Sequence, residues 1–357
     1  MFRKDRTITR DHKHGQPQGI APTNKTKKQR TLYYMNTKDY LPLIESTLVS
    51  IFEGKEPYNL YEPIRYVLSI GGKRLRPTFA LMACDLFGGK VNDAVYPACA
   101  LEVYHNFTLL HDDIMDNADM RRGKPTVHKK WNENTAILSG DVMLSQAYEV
   151  MCRAEHSLLP SLLSVFNQTT IEVCEGQQYD MDFESRNDVT ADEYIAMIRL
   201  KTAVLLAASL KIGAICAKAS SKDADLIYEF GINVGLAFQL KDDWLDVYGD
   251  VKKFGKKIGG DICCNKKTYL LITALEKSSG DTKKSLTEWI SKESFDRDEK
   301  VKAVTAIYNS LNIGKIAEEK MNSYYQKALE SLNQLSLSAD KKEVLKSIAE
   351  SLLYRED

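Results

Sequence analysis

Apolar residues recur at three- and four-residue spacing along most of this chain, as in DADLIYEFGINVGLAFQLKDDWLDVYGD at 223–250. That is the period of a helix with one buried face, whereas alternation at period two, the mark of a half-buried strand, is scarce. The last proline is Pro160, so the remainder of the chain lacks the residue that most strongly breaks helices. Short glycine-bearing stretches, FGGKVND at 87–93, RRGKPT at 121–126 and FGKKIGGD at 254–261, punctuate the helical runs. The pattern predicts an all-α fold, a single domain over residues 35–357 with no strands of consequence and no solenoid period. Residues 1–34 differ. They are basic and polar, carry Gly and Pro, and show no apolar periodicity, which predicts a disordered N-terminal extension. A tail for an anionic surface and a targeting peptide are alternatives for this segment, the latter weakened by Asp5 and Asp11.

Composition narrows the picture without changing it. The 357 residues are 43% hydrophobic and 27% charged, ordinary for a globular protein, with a formal net charge of zero. Duplex nucleic acid as a partner would call for a surplus of Lys and Arg, so none is expected. No apolar run approaches the roughly 20 residues of a membrane span, and no secretory signal opens the chain. The seven cysteines, Cys84, Cys99, Cys152, Cys174, Cys216, Cys263 and Cys264, are scattered and odd in number. They read as reduced, buried thiols of a cytoplasmic protein, and the adjacent Cys263–Cys264 pair lacks zinc-site spacing.

The candidate chemistry lies in a weak internal echo, LLHDDIMD at 109–116 and QLKDDWLD at 239–246. Asp112, Asp113 and Asp116 form one cluster; Asp242, Asp243 and Asp246 form the other. On a helix, positions i and i+4 share a face, so Asp112 aligns with Asp116 and Asp242 with Asp246, and like charges at that spacing repel. Either each cluster is a solvated acidic patch or a cation compensates it, and the same spacing twice favours the cation. Oxygen-only ligands suit Mg²⁺, which commonly takes one or two carboxylates plus substrate phosphates. An EF-hand, whose ligands spread over a twelve-residue loop, does not fit.

Cations for a second, metal-free diphosphate are also present. GGKRLRP at 71–77 supplies Lys73, Arg74 and Arg76 after two glycines, and RRGKPT supplies Arg121 and Arg122 in a turn that reads as a phosphate clamp better than as salt-bridged surface. Lys201, Lys257 and Lys266 are weaker candidates when taken singly. His105 lies two helical turns before Asp112 on the same face.

Together GGKRLRP, LLHDDIMD, RRGKPT, KTA, FQLKDDWLD and FGKKIGGD occur in the order seen in trans-isoprenyl diphosphate synthases, and residues 40 to 350 resemble that family throughout. The resemblance implies helices around a central cavity, a homodimer, and about three Mg²⁺ ions per site. It implies Asp112, Asp116 and Asp242 as metal ligands, with Asp113, Asp243 and Asp246 secondary to them. Lys73, Arg76, His105 and Arg122 match positions that hold isopentenyl diphosphate; Arg121, Lys201 and Lys257 match positions on the allylic diphosphate. Thr202 and Gln239 match residues beside the allylic cation. The implied reaction is head-to-tail condensation of isopentenyl diphosphate with an allylic diphosphate.

Two features refine the resemblance. DDIMD lacks the two extra residues usual in bacterial farnesyl synthases, and LLYRED at the C-terminus offers only Arg355 where some relatives have a basic motif. In such enzymes the residues before the first motif floor the product cavity. Phe107 and Thr108 hold that place here and predict a farnesyl or geranylgeranyl product, leaning to the longer. A class I terpene cyclase and a subunit of a heteromeric synthase are the alternative readings. The second DDxxD and the GGKRLRP cations weigh against the first, and retention of both acidic motifs weighs against the second.

Overall fold

A computed structural model describes residues 39–249 and 258–354. The extension at 1–34, Lys257 and Arg355 lie outside that range. The first helices are α1 (residues 39–52), α2 (Tyr58–Ser69), α3 (Leu75–Leu86) and α4 (Val91–Met115). Next come a four-residue turn of helix, α5 (Val127–Lys130), then α6 (Glu133–Met151), α7 (Leu159–Ser185), α8 (Ala191–Ile198), α9 (Val204–Cys216) and α10 (Ser221–Tyr248). Six further helices lie between Gly260 and Leu353 among the described residues. Among the described residues the extended structure is one antiparallel hairpin, β1 (Met120–Arg121) with β2 (Lys124–Pro125), so the all-α expectation holds.

The chain VLLAASLKIGAIC explains the layout. It is apolar on all sides, and α9 is buried along nearly its whole length, as a central helix must be. Around it pack α3, α4, α7 and α10, and α10 is covered on its far side by the Ile313–Gln334 helix. The long helices α4 and α10 are buried nearly all round in their middles, over 97–104 and 230–237, and bring their C-terminal ends, with the acidic motifs, to one end of the bundle. Prolines 63 and 97 sit inside α2 and α4. The cysteines are all free, but only Cys84, Cys99 and Cys216 are buried. Cys152, Cys174 and Cys264 are exposed, which corrects the expectation of buried thiols: Cys152 and Cys264 sit at helix C-caps, and Cys174 on α7 lines a cavity.

No described helix is long and apolar enough to cross a membrane.

Candidate active site

The α4 motif occupies the last turn of its helix and the α10 motif the last two turns, and no basic residue stands in either last turn. The partial negative charge of a helix C-terminus disfavours anions there. The α4 motif runs off the helix: Asp116 is its C-cap, and its backbone N–H donates to the Asp112 carbonyl at 2.8 Å. Burial and the neighbouring Asp116 and Asp113 push the Asp112 carboxyl up, against the pull of Lys201 and Arg121. Neither the Asp112 nor the Asp116 side chain forms a hydrogen bond or ion pair among the described residues.

The middle Asp of each motif points elsewhere. Asp113 is buried and accepts Arg121 Nε on both oxygens at 2.9 Å, with Nη2 at 2.8 Å from Oδ1. Asp243 is buried, accepts the Tyr194 hydroxyl in a short hydrogen bond, and accepts Gln239 Nε2 at 3.1 Å. Burial pushes the Asp243 carboxyl up to about 7, with Asp261 adding to the shift and Tyr194 opposing it. Asp246 accepts the backbone N–H of Asp261 at 3.0 Å, capping the short Gly260–Cys263 helix.

Among the described residues no three carboxylate, imidazole or thiol groups close into a ready-made metal cage. The Asp112 and Asp116 carboxylates of α4, with the carboxylates of α10 nearby, fit a hard divalent cation that keeps water and takes further oxygens from a bound phosphate.

A cavity of about 520 Å³ lies beside the carboxylates, lined by Gly72, Lys73, Arg76, His105, Arg122 and Asp242 among others. Its cations are crowded. Burial pulls the Arg76 guanidinium down to about 10, eased by Glu102 and worsened by Arg122. Arg76 Nε is buried without a partner. Arg76 Nη1 lies 3.0 Å from His105 Nε2. An arginine can only donate, so His105 is neutral with its proton on Nδ1. Burial and then Arg76, Arg122 and Arg121 hold its pKa well below the ordinary 6.5. Arg122 donates to the Gly71 carbonyl and lies over Gly72, where a Cβ would come within 2.6 Å of the guanidinium. Arg74 also borders this cavity, but its guanidinium is buried on Glu45 at 2.8 Å and Glu102 at 2.7 Å. A clamp of Arg121 and Arg122 together is likewise not what the fold presents, because the Asp113 carboxylate engages Arg121 and leaves Arg122 to face the cavity.

The second cavity, about 410 Å³, is more apolar and shares Arg76 and His105 with the first. Phe107, Thr108, Asp112, Lys201, Thr202 and Gln239 line it. Lys201 and Thr202 lie in a π-helical segment, Arg199–Ala203, between α8 and α9. Such a bulge shifts backbone carbonyls out of the regular ladder and is frequent at functional sites. Lys201 Nζ is 2.5 Å from Asp180, and Thr202 Oγ1 donates to Gln239 Oε1 at 3.3 Å. A relay thus runs from Tyr194 through Asp243 and Gln239 to Thr202 and fixes which way the Gln239 amide points. The Phe107 ring is buried against Tyr104 and, edge-on, against His111.

The single-residue readings of the sequence missed Asp180, Tyr194 and Glu102. Each acts through a partner far away in the chain. Lys266, weak when taken alone, stands among Asp261, Asp180, Asp243 and Asp116. Burial lowers its pKa, but those carboxylates raise it further, and the net shift is upward.

Helices packed round one central helix, with two acidic helix ends meeting a cationic cavity, define a protein of the isoprenoid synthase fold. The family model described as polyprenyl synthetase matches residues 57–308, and the chain belongs to that family. The chain is similar to the geranylgeranyl diphosphate synthase of Sulfolobus acidocaldarius, 39% identical over 318 residues, covering 87% of this chain and 95% of that protein. It is also similar to the short chain isoprenyl diphosphate synthase of Methanothermobacter thermautotrophicus, 38% identical over 302 residues, covering 84% and 91%. The crystal structure of a geranylgeranyl pyrophosphate synthetase from Pyrococcus horikoshii matches at TM-score 0.86 and 35% identity, covering 92% of this chain and 100% of the other.

Proposed function

We propose that this protein is a Mg²⁺-dependent short-chain prenyltransferase. It joins isopentenyl diphosphate head to tail to dimethylallyl, geranyl or farnesyl diphosphate, releases diphosphate, and yields geranylgeranyl or farnesyl diphosphate. The observation that carries this reading is the wall of Arg76 and His105 shared by the two cavities. It sets a metal-free anion site directly against an apolar chamber that ends in carboxylates, as a reaction between two diphosphates requires.

Asp112, Asp116 and Asp242 would hold the ion, with Asp246 close by. Mg²⁺, when bound, supplies neutralisation of charge on the leaving diphosphate. Lys201, and Lys257 by resemblance, add positive charge on the allylic diphosphate. As the allylic C–O bond breaks, the Thr202 and Gln239 oxygens and the carbonyls of the π-helical segment offer partial negative charge to the carbon cation. Lys73, Arg76, Arg122 and neutral His105 hold isopentenyl diphosphate so that its double bond forms the new C–C bond. The proton then lost passes to the departing diphosphate. Phe107, Leu109, Val173, Leu205 and Phe238 give the chamber an apolar wall that shields the cation from water. Exposed Ile137 and Leu138 on α6 and Ile171 on α7 support a homodimer.

The test is incubation with labelled isopentenyl diphosphate and each allylic starter, with and without Mg²⁺, followed by product sizing. Metal-dependent elongation to fifteen- or twenty-carbon products is expected. Its absence with every starter refutes the reading. Light scattering on the same sample should give twice the mass of one chain.

A further inference from the structure

We propose that one face of the Arg297–Ser310 helix is a positioning clamp for the second carboxylate end of the cleft, acting through the segment 258–266. Arg297, Lys300 and Val301 are spaced i, i+3 and i+4 and so share a face. Arg297 Nη2 donates to the Ile258 carbonyl at 2.6 Å. Val301 packs over Gly259, where a Cβ would come within 2.6 Å of its side chain. Lys300 is 0% exposed. Its ammonium donates to Asn265 Oδ1 at 2.8 Å and reaches the Cys263 carbonyl at 3.5 Å, and it lies 4.0 Å from the centre of the Phe295 ring. No carboxylate pairs with it among the described residues.

A buried lysine without a counter-charge is costly to keep, so its use here calls for an explanation. The geometry supplies one. The Gly260–Cys263 helix is gripped at both ends. Asp246 caps its N-terminal end, and Lys300 satisfies the carbonyl at its C-terminal end and the adjoining Asn265 side chain. Asn265 is itself tied to the Ile290 carbonyl at 2.9 Å. This segment carries Asp261 and Lys266, the groups that face Asp243, Asp180 and Asp116. Arg297 and Lys300 therefore set where Asp246, Asp261 and Lys266 stand without touching substrate. The cationic cavity, built from the 71–76 turn, α4 and Arg122 with Asp242 at its edge, is lined by neither Arg297 nor Lys300.

The inference rests on the prenyltransferase reading for its kinetic test and on structure alone for its exchange test. The full chain carrying Lys300→Met, Arg297→Gln or Arg297→Lys is compared with the unsubstituted protein. Lys300→Met and Arg297→Gln should speed amide hydrogen exchange over 258–268. They should raise both the allylic KM and the Mg²⁺ concentration for half-maximal rate about tenfold, as loss of an outer support does at metal sites. The KM for isopentenyl diphosphate should stay within about twofold, since its cavity is built elsewhere, and Arg297→Lys should behave nearly as the unsubstituted chain. Calorimetric titration with inorganic diphosphate and Mg²⁺ should weaken in the same order. Arg297 is half-exposed, so Arg297→Gln keeps the test available should Lys300→Met fail to fold. Unchanged exchange over 258–268, or two KM values that move together, overturns the proposal. If the unsubstituted protein fails to elongate, the prenyltransferase reading falls, while exchange and the diphosphate titration still decide on the clamp.

Discussion

Adjacent residues of the acidic motifs do different work, and substitution should separate them. Asp113 is a buried carboxylate paired with Arg121, and breaking a buried pair costs on the order of 3 kcal/mol. Asp113→Asn should therefore lower stability by about that much in urea unfolding, while at saturating substrate the folded fraction retains most of its turnover. His105 gives a pH signature. Its folded pKa lies below the unfolded 6.5, so the unfolded chain binds the extra proton. Its contribution to stability is complete above about pH 6.5 and is lost as pH falls below it. His105→Gln should flatten the fall in melting temperature between about pH 6.5 and 5. Phe107→Ala should lengthen the product and cost about 3 kcal/mol of stability; an unchanged product spectrum would remove Phe107 from the floor. At this scale the sequence was legible where a residue's role follows from spacing. That Asp112 and Asp116 share a face follows from i, i+4, and His105 falls on the same face. The inward turn of Asp113 and Asp243 was not legible: the next residue on a helix points about 100° away, and whether core or cleft lies there is a property of the neighbouring helix.

At the scale of elements, the π-helical segment is the part that local sequence conceals. RLKTA has no glycine or proline to mark it, and its place is set by packing against α7. A Cβ at Gly176 would lie 2.3 Å from the Lys201 backbone nitrogen, so only glycine lets α7 come this close. Gly176→Ala must push the segment away. It should cost about 1–3 kcal/mol in thermal or urea unfolding, and lower kcat about tenfold or more by displacing Lys201 and Thr202, with smaller change in the isopentenyl KM. Equal effects on both kinetic constants would show that the segment only supports the fold. The long helices themselves were readable from period and, beyond Pro160, from the absence of proline, whereas α4 forms in spite of Pro97. The Arg297–Ser310 helix was readable as a helix but not as a neighbour of the second acidic motif, since that contact joins parts of the chain far apart in sequence.

For the whole molecule, the sequence announced an all-α domain, and the fold adds how its two chemistries are apportioned. Negative groups collect at the ends of α4 and α10, and positive ones in the turn after α2 and in the hairpin. A formal net charge of zero hides this separation. The apolar helices meet around α9 and leave the polar machinery at one end of the bundle, with the apolar chamber running beside α4.

The crowded cations of the 520 Å³ cavity have a practical consequence. Arg76 keeps a buried N–H with no acceptor, and Arg122 adds like charge beside it. A small anion that supplies the missing acceptors binds the folded chain and not the unfolded one, and so raises its melting temperature by mass action. Inorganic phosphate without any metal should thus protect this protein from heat and compete with isopentenyl diphosphate in assays, and Arg76→Met should abolish both effects. Rates measured in phosphate buffer would understate the enzyme, and preparations stored in it would outlast those stored without.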